Sequence, residues 1–360
     1  MKILIAPNAF KGTMTAEEAA KIIRDAISAI YTEYEFILCP IADGGDGTSY
    51  LLAKALDLPL THLMALDALG RPTEGYFAMN RDTALMDVST VSGIHLLSKE
   101  ERDPLVTGTY GTGELVAAAI DQGANRIELG LGGTASIDMG VGVLRGLGFI
   151  FLDEYGREIP MFSPSFLSKI RHIQRPVKKM DIAFTLLCDV QNTFFGENGA
   201  VPVFGPQKGL KEDGFQEFLT AAERFIQLLK TKTGKDLEDR PSFGAAGGIA
   251  IGLNAFFPVQ MVNGSDRFFE KVQMERQVRW ADLVITGEGK YDDQSAEGKG
   301  SFKLMQMANK HKKKIHLITS GDDAGQGFDG VIRLPPLGPK KESEEAKHIL
   351  YQTVGDFFKK

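Results

Sequence analysis

The segment that decides the fold is residues 2–48, KILIAPNAFKGTMTAEEAAKIIRDAISAIYTEYEFILCPIADGGDGT. The apolar run Lys2–Ala6 predicts a strand, and after a loop Thr15 takes the N-cap position of a helix, with Glu18 as its capping-box partner. A second apolar run, Phe36–Ile41, follows that helix and precedes another predicted helix. Strands that alternate with helices are typical of a parallel sheet, so this end of the chain predicts an α/β domain.

The same alternation returns at the other end of the chain. Strands are predicted at Leu283–Thr286, Lys314–Thr319 and Gly330–Leu334, and a helix over about Glu342–Phe357. Between the two ends, three short strand-like runs within residues 60–88 predict a meander. The two ends resemble each other in pattern and the middle does not, which indicates that one domain is inserted in another.

The predicted fold class is therefore α/β. A Rossmann/flavodoxin-like domain with a parallel sheet in three layers is built from both termini, residues 1–68 and 279–360, and residues 69–278 form an inserted second α/β (α+β) domain.

Composition limits the function classes. The chain has 360 residues, 43% of them hydrophobic, which is enough for a large core. The net charge of −6 and the absence of a basic stripe argue against a nucleic-acid partner. Cys39 and Cys188 have no metal-type spacing, which fits a reduced compartment. Since no run approaches about 18 apolar residues, we expect a cytoplasmic protein without a membrane partner.

The 40 glycines cluster beside apolar runs, a pattern that favours backbone-lined loops around a ligand. One such loop lies between a predicted strand and a helix predicted over Ile137–Leu147, where backbone N–H groups and the helix N-terminus can bind phosphate. Its residues are Gly132, Gly133, Thr134, Ala135 and Ser136. The alternative is that these glycines only permit tight packing.

Acidic side chains follow three of the predicted strands. Asp43 and Asp46 come after the second strand, and Glu288 and Asp292 lie in the charged loop 285–300. Asp189 ends a strand in the middle of the chain. Carboxylates at such positions suit a divalent cation or a substrate hydroxyl, and the alternative is that they cap helices or turns.

Polar residues of other types accompany these acids. Lys11, Lys208 and Lys299 could receive a carboxylate or a phosphate, and Asn192 and Gln207 could receive a hydroxyl. The six histidines form no cluster, and the chain contains no G-x-x-x-x-G-K-[S/T] motif. Acids, lysines and phosphate-binding loops together suggest phosphoryl transfer, which depends on Mg²⁺, positioning and charge neutralisation.

Eight segments in sequence order carry a resemblance to a known family. They are APNAFKG (6–12), IADGGDGT (41–48), TYGTGEL (109–115), GGTAS (132–136), CDV (188–190), FGPQKG (204–209), GAAGG (244–248) and ITGEG (285–289) with Asp292 and Gln294. By these segments the chain resembles the bacterial two-domain glycerate kinase family, of the glycerate 2-kinase type.

The resemblance implies ATP- and Mg²⁺-dependent phosphorylation of D-glycerate to 2-phosphoglycerate, in a cleft between the two domains. A kinase that forms 3-phosphoglycerate, a non-catalytic sensor of glycerate or nucleotide, and a hydroxy-acid dehydrogenase are the alternatives. The dehydrogenase is disfavoured because no dinucleotide fingerprint is present. The main departure from the family pattern is Asn8, where the family usually has an acid. A homodimer stays open.

The expected roles combine chemistry with this resemblance. They are catalysis for Asp189, Asp43 and Lys11; substrate binding for Lys11, Asn192, Gln207 and Lys208; ATP phosphate binding for Gly132, Gly133, Thr134, Ala135, Ser136 and Lys299; and metal binding for Asp43, Asp46, Glu288 and Asp292.

Overall fold

The computed structural model describes residues 1–10, 12–289, 300–321, 325–336 and 343–359. The chain divides into two compact units, one formed by Met1–Asp43 with Ser265–Lys360 and the other by Gly44–Gly264. Three of the predicted site residues, Lys11, Asp292 and Lys299, lie outside the described residues, as does most of the charged loop 285–300.

The strands of the described chain belong to two large sheets and one small one. They are β1 (Lys2–Ile5), β2 (Glu35–Leu38), β3 (Leu60–Leu66), β4 (Pro72–Asn80), β5 (Thr83–Asp87), β6 (Arg126–Gly130), β7 (Ile150–Leu152), β8 (His172–Gln174), β9 (Ala183–Leu187), β10 (Val259–Val262), β11 (Leu283–Gly287), β12 (Lys314–Thr319) and β13 (Gly330–Arg333).

The helices range from one turn to five. They are α1 (Ala16–Ser28), α2 (Thr48–Ala55), α3 (Ser89–Ser92), α4 (Tyr110–Asp121), α5 (Val141–Gly146), α6 (Phe166–Lys169), α7 (Ala200–Phe204), α8 (Phe215–Thr233), α9 (Ile249–Phe256), α10 (Gly264–Lys271), α11 (Met274–Trp280), α12 (Gly300–Lys310) and α13 (Ser343–Phe358). Within the described ranges, none of them combines the length and the apolar character needed to cross a membrane.

The unit built from both termini is a parallel sheet between two layers of helices. Its strand order is β2-β1-β11-β12-β13, and every neighbouring pair is parallel. Ile5 and Ile285 on one face pack in an apolar cluster with residues of α1 and α13. Helix α11 contacts β1 and α12 contacts β11, and neither helix contributes to that cluster, so both cover the opposite face. The predicted three-layer domain is confirmed.

Helix α1 begins as the sequence predicts. The Thr15 hydroxyl accepts a hydrogen bond from the Glu18 N–H, with an O–N distance of 3.1 Å, and the Glu18 carboxylate accepts one from the Thr15 N–H at 2.9 Å. This reciprocal pair satisfies two donors that a helix start otherwise leaves unpaired. The bonds hold Glu18 ionised, since they lower its pKa.

The second unit contains a mixed sheet of order β3-β4-β5-β6-β9-β10. The first three strands are antiparallel neighbours and form the predicted meander, whereas β5, β6, β9 and β10 are parallel. Strands β7 and β8 form a separate antiparallel pair. The core holds fully buried aromatic rings, among them Phe77, Phe151 and Phe184.

The unit boundaries differ from the predicted boundaries at 68/69 and 278/279. The chain passes from one unit to the other after Asp43 and returns after Gly264. Strand β3 pairs along its whole length with β4, and α2 contacts β4 and β5, so residues 44–68 belong to the second unit. At the other end α11 packs on β1, which places residues 265–278 in the first unit.

Candidate functional site

In the first unit, polar loops leave the carboxyl ends of β1 and β11, the two strands at the centre of the sheet. The chain proceeds from β1 to β2 on one side and from β11 to β12 on the other, so strand order reverses between β1 and β11. Ligands of open α/β sheets bind at such a switch point. The Asn8 N–H donates to the Gly287 carbonyl oxygen at 2.8 Å, which joins the chain just after β1 to the end of β11.

Asn8 and Asp43 meet at this edge. The Asn8 Nδ2 donates to the Asp43 Oδ2 at 3.4 Å, and the Asn8 Oδ1 accepts from the Ala9 N–H at 2.7 Å. Glu288 begins the loop after β11, where its N–H donates to the Ile318 carbonyl oxygen at 3.0 Å. The structure thus brings Asp43 next to the residue at which the chain departs from the family pattern.

In the second unit, the loop Gly44–Gly47 crosses the carboxyl ends of three parallel strands. A Cβ atom at Gly44 would come within 2.9 Å of the Leu187 carbonyl carbon at the end of β9. The Gly132 N–H, just beyond β6, donates to the Gly44 carbonyl oxygen at 3.2 Å. Only glycine permits this approach, so the two glycine clusters of the sequence are one structural feature.

Asp46 lies at the exposed end of this loop, against the second glycine cluster. A Cβ at Gly132 would collide with the Gly45 Cα, and one at Gly133 would collide with the Asp46 carboxylate. Gly133 also has a φ of +67°, a backbone conformation that side chains disfavour. The structure therefore brings the predicted metal ligand Asp46 next to the predicted phosphate loop.

Most N–H groups of the Gly132–Ser136 loop bind protein acceptors. Gly132 donates to Gly44, the Ala135 N–H donates to the Ser92 carbonyl oxygen at 2.9 Å, and the Ser136 N–H donates to the Thr134 hydroxyl at 3.4 Å. Among the described residues, no group accepts a hydrogen bond from the backbone N–H of Gly133 or of Thr134. A phosphate bound at this loop would use those two.

The sequence predicted that the N-terminus of the helix after this loop would help to bind phosphate, but the Asp138 carboxylate occupies that N-terminus. Helix α5 begins at Val141 and not near Ile137. The buried Asp138 Oδ2 accepts from the Gly142 N–H at 3.0 Å and from the Thr109 hydroxyl at 2.7 Å. The carboxylate therefore neutralises the dipole that was expected to attract phosphate.

Lys208, which was expected to receive a carboxylate or a phosphate, is buried, with 4% of its surface exposed. Its Nζ donates to the Ser136 carbonyl oxygen at 2.8 Å. Burial lowers the pKa of Lys208 to about 7, against the opposing attraction of Asp138. Lys208 thus supports the Gly132–Ser136 loop from within the unit, while its neighbour Gln207 is exposed.

Asp189 and Asn192 follow β9, as predicted, and both hold backbone in place. The Asp189 Oδ1 accepts from the Gly264 N–H at 2.8 Å. The Asn192 Nδ2 donates to the Asn198 carbonyl oxygen at 2.7 Å. These contacts orient the two side chains and leave Asp189 half-buried.

Asp87, at the carboxyl end of β5, was missed by the sequence analysis. Its carboxylate is buried and accepts from the Ser49 N–H and the Ser49 hydroxyl, at 2.9 and 2.7 Å from Oδ2. Burial raises the pKa of Asp87 to about 7, the Ser49 bonds lower it, and the Asp46 carboxylate raises it further. The available signal was an acid at the end of an otherwise apolar strand.

Comparison with known proteins gives the family of the chain. The model of the Glycerate kinase family matches residues 3–334. The chain belongs to this family. A Glycerate kinase of Bacillus subtilis (strain 168) is 36% identical over 371 residues, which cover 99% of this chain and 96% of the relative. The Glycerate 2-kinase of Escherichia coli (strain K12) is 33% identical over 343 residues, covering 92% and 90%.

A solved structure extends the likeness to the fold. It is a crystal structure of a candidate glycerate kinase 2 from Salmonella typhimurium LT2, with a TM-score of 0.82 and 29% identity over 99% of this chain and 97% of the other. The resemblance to the glycerate kinase family and the prediction of an enzyme of the glycerate kinase type are both confirmed.

The carboxylates of this kinase fit a hard cation whose remaining coordination positions are filled by oxygens of water and of a bound ligand. Among the described residues no group of three or more acids, histidines or cysteines could hold a metal alone. Mg²⁺ usually takes one or two carboxylates and obtains its other oxygens from water and substrate phosphates. Asp43, beside Asn8, is a carboxylate of the kind that such a cation takes, and so is the exposed Asp46.

We predict that Lys208→Met changes how the stability of the kinase depends on pH. Between the folded pKa of about 7 and the ordinary value of 10.5, the unfolded chain binds a proton that the folded chain lacks. Wild-type stability therefore gains from this residue as pH rises, by about 2 kcal/mol from pH 7 to 9. Methionine has an unbranched side chain that is one atom shorter, and it removes the titration.

The measurement is the free energy of unfolding of both proteins, by chemical denaturation at pH 7 and pH 9. The free energy of unfolding should rise more from pH 7 to pH 9 in the wild type than in Lys208→Met. The matched control is Lys235→Met, which removes an exposed ammonium that also donates to a backbone carbonyl oxygen. The same pH dependence in both variants would contradict the burial of a titrating Lys208.

Proposed function

We propose that this chain transfers the terminal phosphoryl group of ATP to D-glycerate and forms 2-phosphoglycerate, with Mg²⁺ as cofactor. The observation that carries the proposal is the family match over residues 3–334, because it includes every predicted site residue. The name of the Escherichia coli relative, Glycerate 2-kinase, supports the choice of product. A cytoplasmic location, a homodimer and a cleft between the domains stay predictions.

D-glycerate offers a carboxylate and two hydroxyl groups, which need a cation and polar partners. The Lys208 ammonium is buried against the Ser136 carbonyl oxygen, which favours a supporting role for this lysine. We therefore assign the substrate carboxylate to Lys11, and hydroxyl contacts to Asn192 and the exposed Gln207.

The attacking hydroxyl loses its proton late in phosphoryl transfer, so an oriented carboxylate suffices as the base. Asp189 is the first choice, since Gly264 fixes one of its oxygens and thereby its direction. Asp43 is the second choice, and the Asn8 amide fixes one of its oxygens in the same way.

The nucleotide would bind at the glycine-rich loop Gly132–Ser136 and near the acidic side chains. Gly133 and Thr134 N–H groups would donate to phosphate oxygens, with Lys299 as a cation. Mg²⁺, when bound, neutralises charge on the phosphate oxygens, and Asp43, Asp46, Glu288 and Asp292 are the proposed ligands.

The proposal is tested by ³¹P NMR of the purified chain with ATP, Mg²⁺ and D-glycerate. We expect a new monoester signal at the position of 2-phosphoglycerate, and none when L-glycerate replaces D-glycerate. A signal of 3-phosphoglycerate would overturn the product assignment. An unchanged ATP spectrum, together with thermal stabilisation by glycerate, would favour the sensor.

Asn8→Asp tests whether Asp43 serves the cation. The substitution places a second carboxylate beside Asp43, which a divalent cation would favour by about 1 kcal/mol. We expect the Mg²⁺ concentration at half-maximal rate to fall about three- to tenfold. The control is Asn8→Ala, which removes the amide without adding charge. An unchanged or increased Mg²⁺ requirement in Asn8→Asp would contradict the assignment.

A further inference from the structure

The starting point is the way in which Asp87 is bound. Its carboxylate lies at the end of β5 with 1% of the residue exposed. The Ser49 N–H donates to both carboxylate oxygens, at 3.1 Å to Oδ1 and 2.9 Å to Oδ2, and the Ser49 hydroxyl donates to Oδ2 at 2.7 Å. Gly130 of the next strand leaves room for the carboxylate, since a Cβ there would collide with Oδ1.

These bonds cap α2 from a distant part of the chain. The N-cap residue of α2 is Gly47, which has no side chain to accept from the first N–H groups of the helix. Asp87 accepts from the Ser49 N–H instead, although it lies 38 residues beyond Ser49 in the sequence. A carboxylate at a helix N-terminus is also favoured by the helix dipole.

The capped residues directly follow Asp46. The Thr48 hydroxyl donates to the Gly45 carbonyl oxygen at 2.8 Å, so the loop and the first turn of α2 move as one piece. That piece places the Asp46 carboxylate against Gly133. Fixing Ser49 to the end of β5 therefore fixes the direction in which Asp46 points.

A direct chemical role for Asp87 does not fit these contacts. Both oxygens accept hydrogen bonds from Ser49, and the side chain is covered by β5, β6 and α2. Asp46, in contrast, is exposed. The two acids thus differ in access, and only Asp46 can reach a ligand from the solvent side.

We infer that Asp87 is a positioning residue of the kinase, which caps α2 from β5 and thereby orients Asp46 toward the bound metal–nucleotide complex. The inference rests on the proposed role of Asp46. Asp87 is a buried strand residue outside all eight family-like segments. By this inference it controls the affinity of the loop Gly44–Gly47 for the metal–nucleotide complex.

The test uses Asp87→Asn, which keeps the size of the side chain but replaces one acceptor oxygen opposite the Ser49 donors with an amide NH2 group. Amide hydrogen exchange of the segment 44–51 should become at least about tenfold faster, because its opening is no longer resisted by the cap. The Mg²⁺ concentration at half-maximal rate should rise about tenfold, while KM for D-glycerate changes less than about twofold.

The matched control is Asp67→Asn, which alters another buried carboxylate that accepts from backbone N–H groups, those of Leu69 and Arg71. It should lower the thermal midpoint as Asp87→Asn does, and leave the exchange of 44–51 and the Mg²⁺ requirement unchanged. Ser49→Ala, which removes one of the donors, should fall between wild type and Asp87→Asn in both readouts.

A double-mutant cycle decides whether Asp87 acts through Asp46. If it does, Asp46→Ala combined with Asp87→Asn should need no more Mg²⁺ than Asp46→Ala alone, because the effects of coupled residues do not add. Additive effects, or unchanged exchange of 44–51 in Asp87→Asn, would overturn the inference. If the wild type shows no turnover, the proposed function fails, while the exchange experiment still tests the cap.

Discussion

The candidate site of the second unit depends on a backbone-to-backbone contact that side chains would prevent. Gly44 and Gly45 lie against the ends of β9 and β6, and Gly132 donates to the Gly44 carbonyl oxygen. Every other feature of that edge follows from this contact. Asp46 has a fixed neighbour, the Gly132–Ser136 loop has two N–H groups left for a ligand, and α2 starts where Asp87 can cap it.

Buried ionisable side chains bind the backbone near this contact. Asp87, Asp138 and Lys208 are each less than 5% exposed. Asp87 and Asp138 accept from N–H groups in the first turns of α2 and α5, and Lys208 donates to the Ser136 carbonyl oxygen. Burial opposes the charged forms of Asp87 and Lys208, as their pKa values near 7 show. Such groups destabilise a fold unless their hydrogen bonds are satisfied, which makes the loop geometry sensitive to any one of them.

The sequence predicted what depends on local pattern. The strands of the parallel sheet, the Thr15 cap of α1 and the glycine clusters were all visible, because periodicity, capping residues and bare backbone leave local signals. What depends on a distant partner was not visible. Asp87 gives no sign of Ser49, and Lys208 gives no sign of Ser136. The meander of β3, β4 and β5 was predicted, but the packing of α2 on β4 and β5 was not, and the predicted boundary at 68/69 therefore differs from that of the structure. Helix α5 begins at Val141, later than predicted, because Asp138 accepts from an N–H group of its first turn and is not part of the helix.

The most direct test of the glycine contact is the steady-state rate of Gly132→Ala with ATP, Mg²⁺ and D-glycerate, beside Gly355→Ala. A Cβ at Gly132 collides with Gly45, whereas one at Gly355 meets nothing within 4 Å. The account predicts that Gly132→Ala stays folded and loses about 100-fold or more in kcat/KM, the loss expected when a site is displaced by about 1 Å. A rate within about threefold of Gly355→Ala would contradict the claim that this backbone approach builds the site.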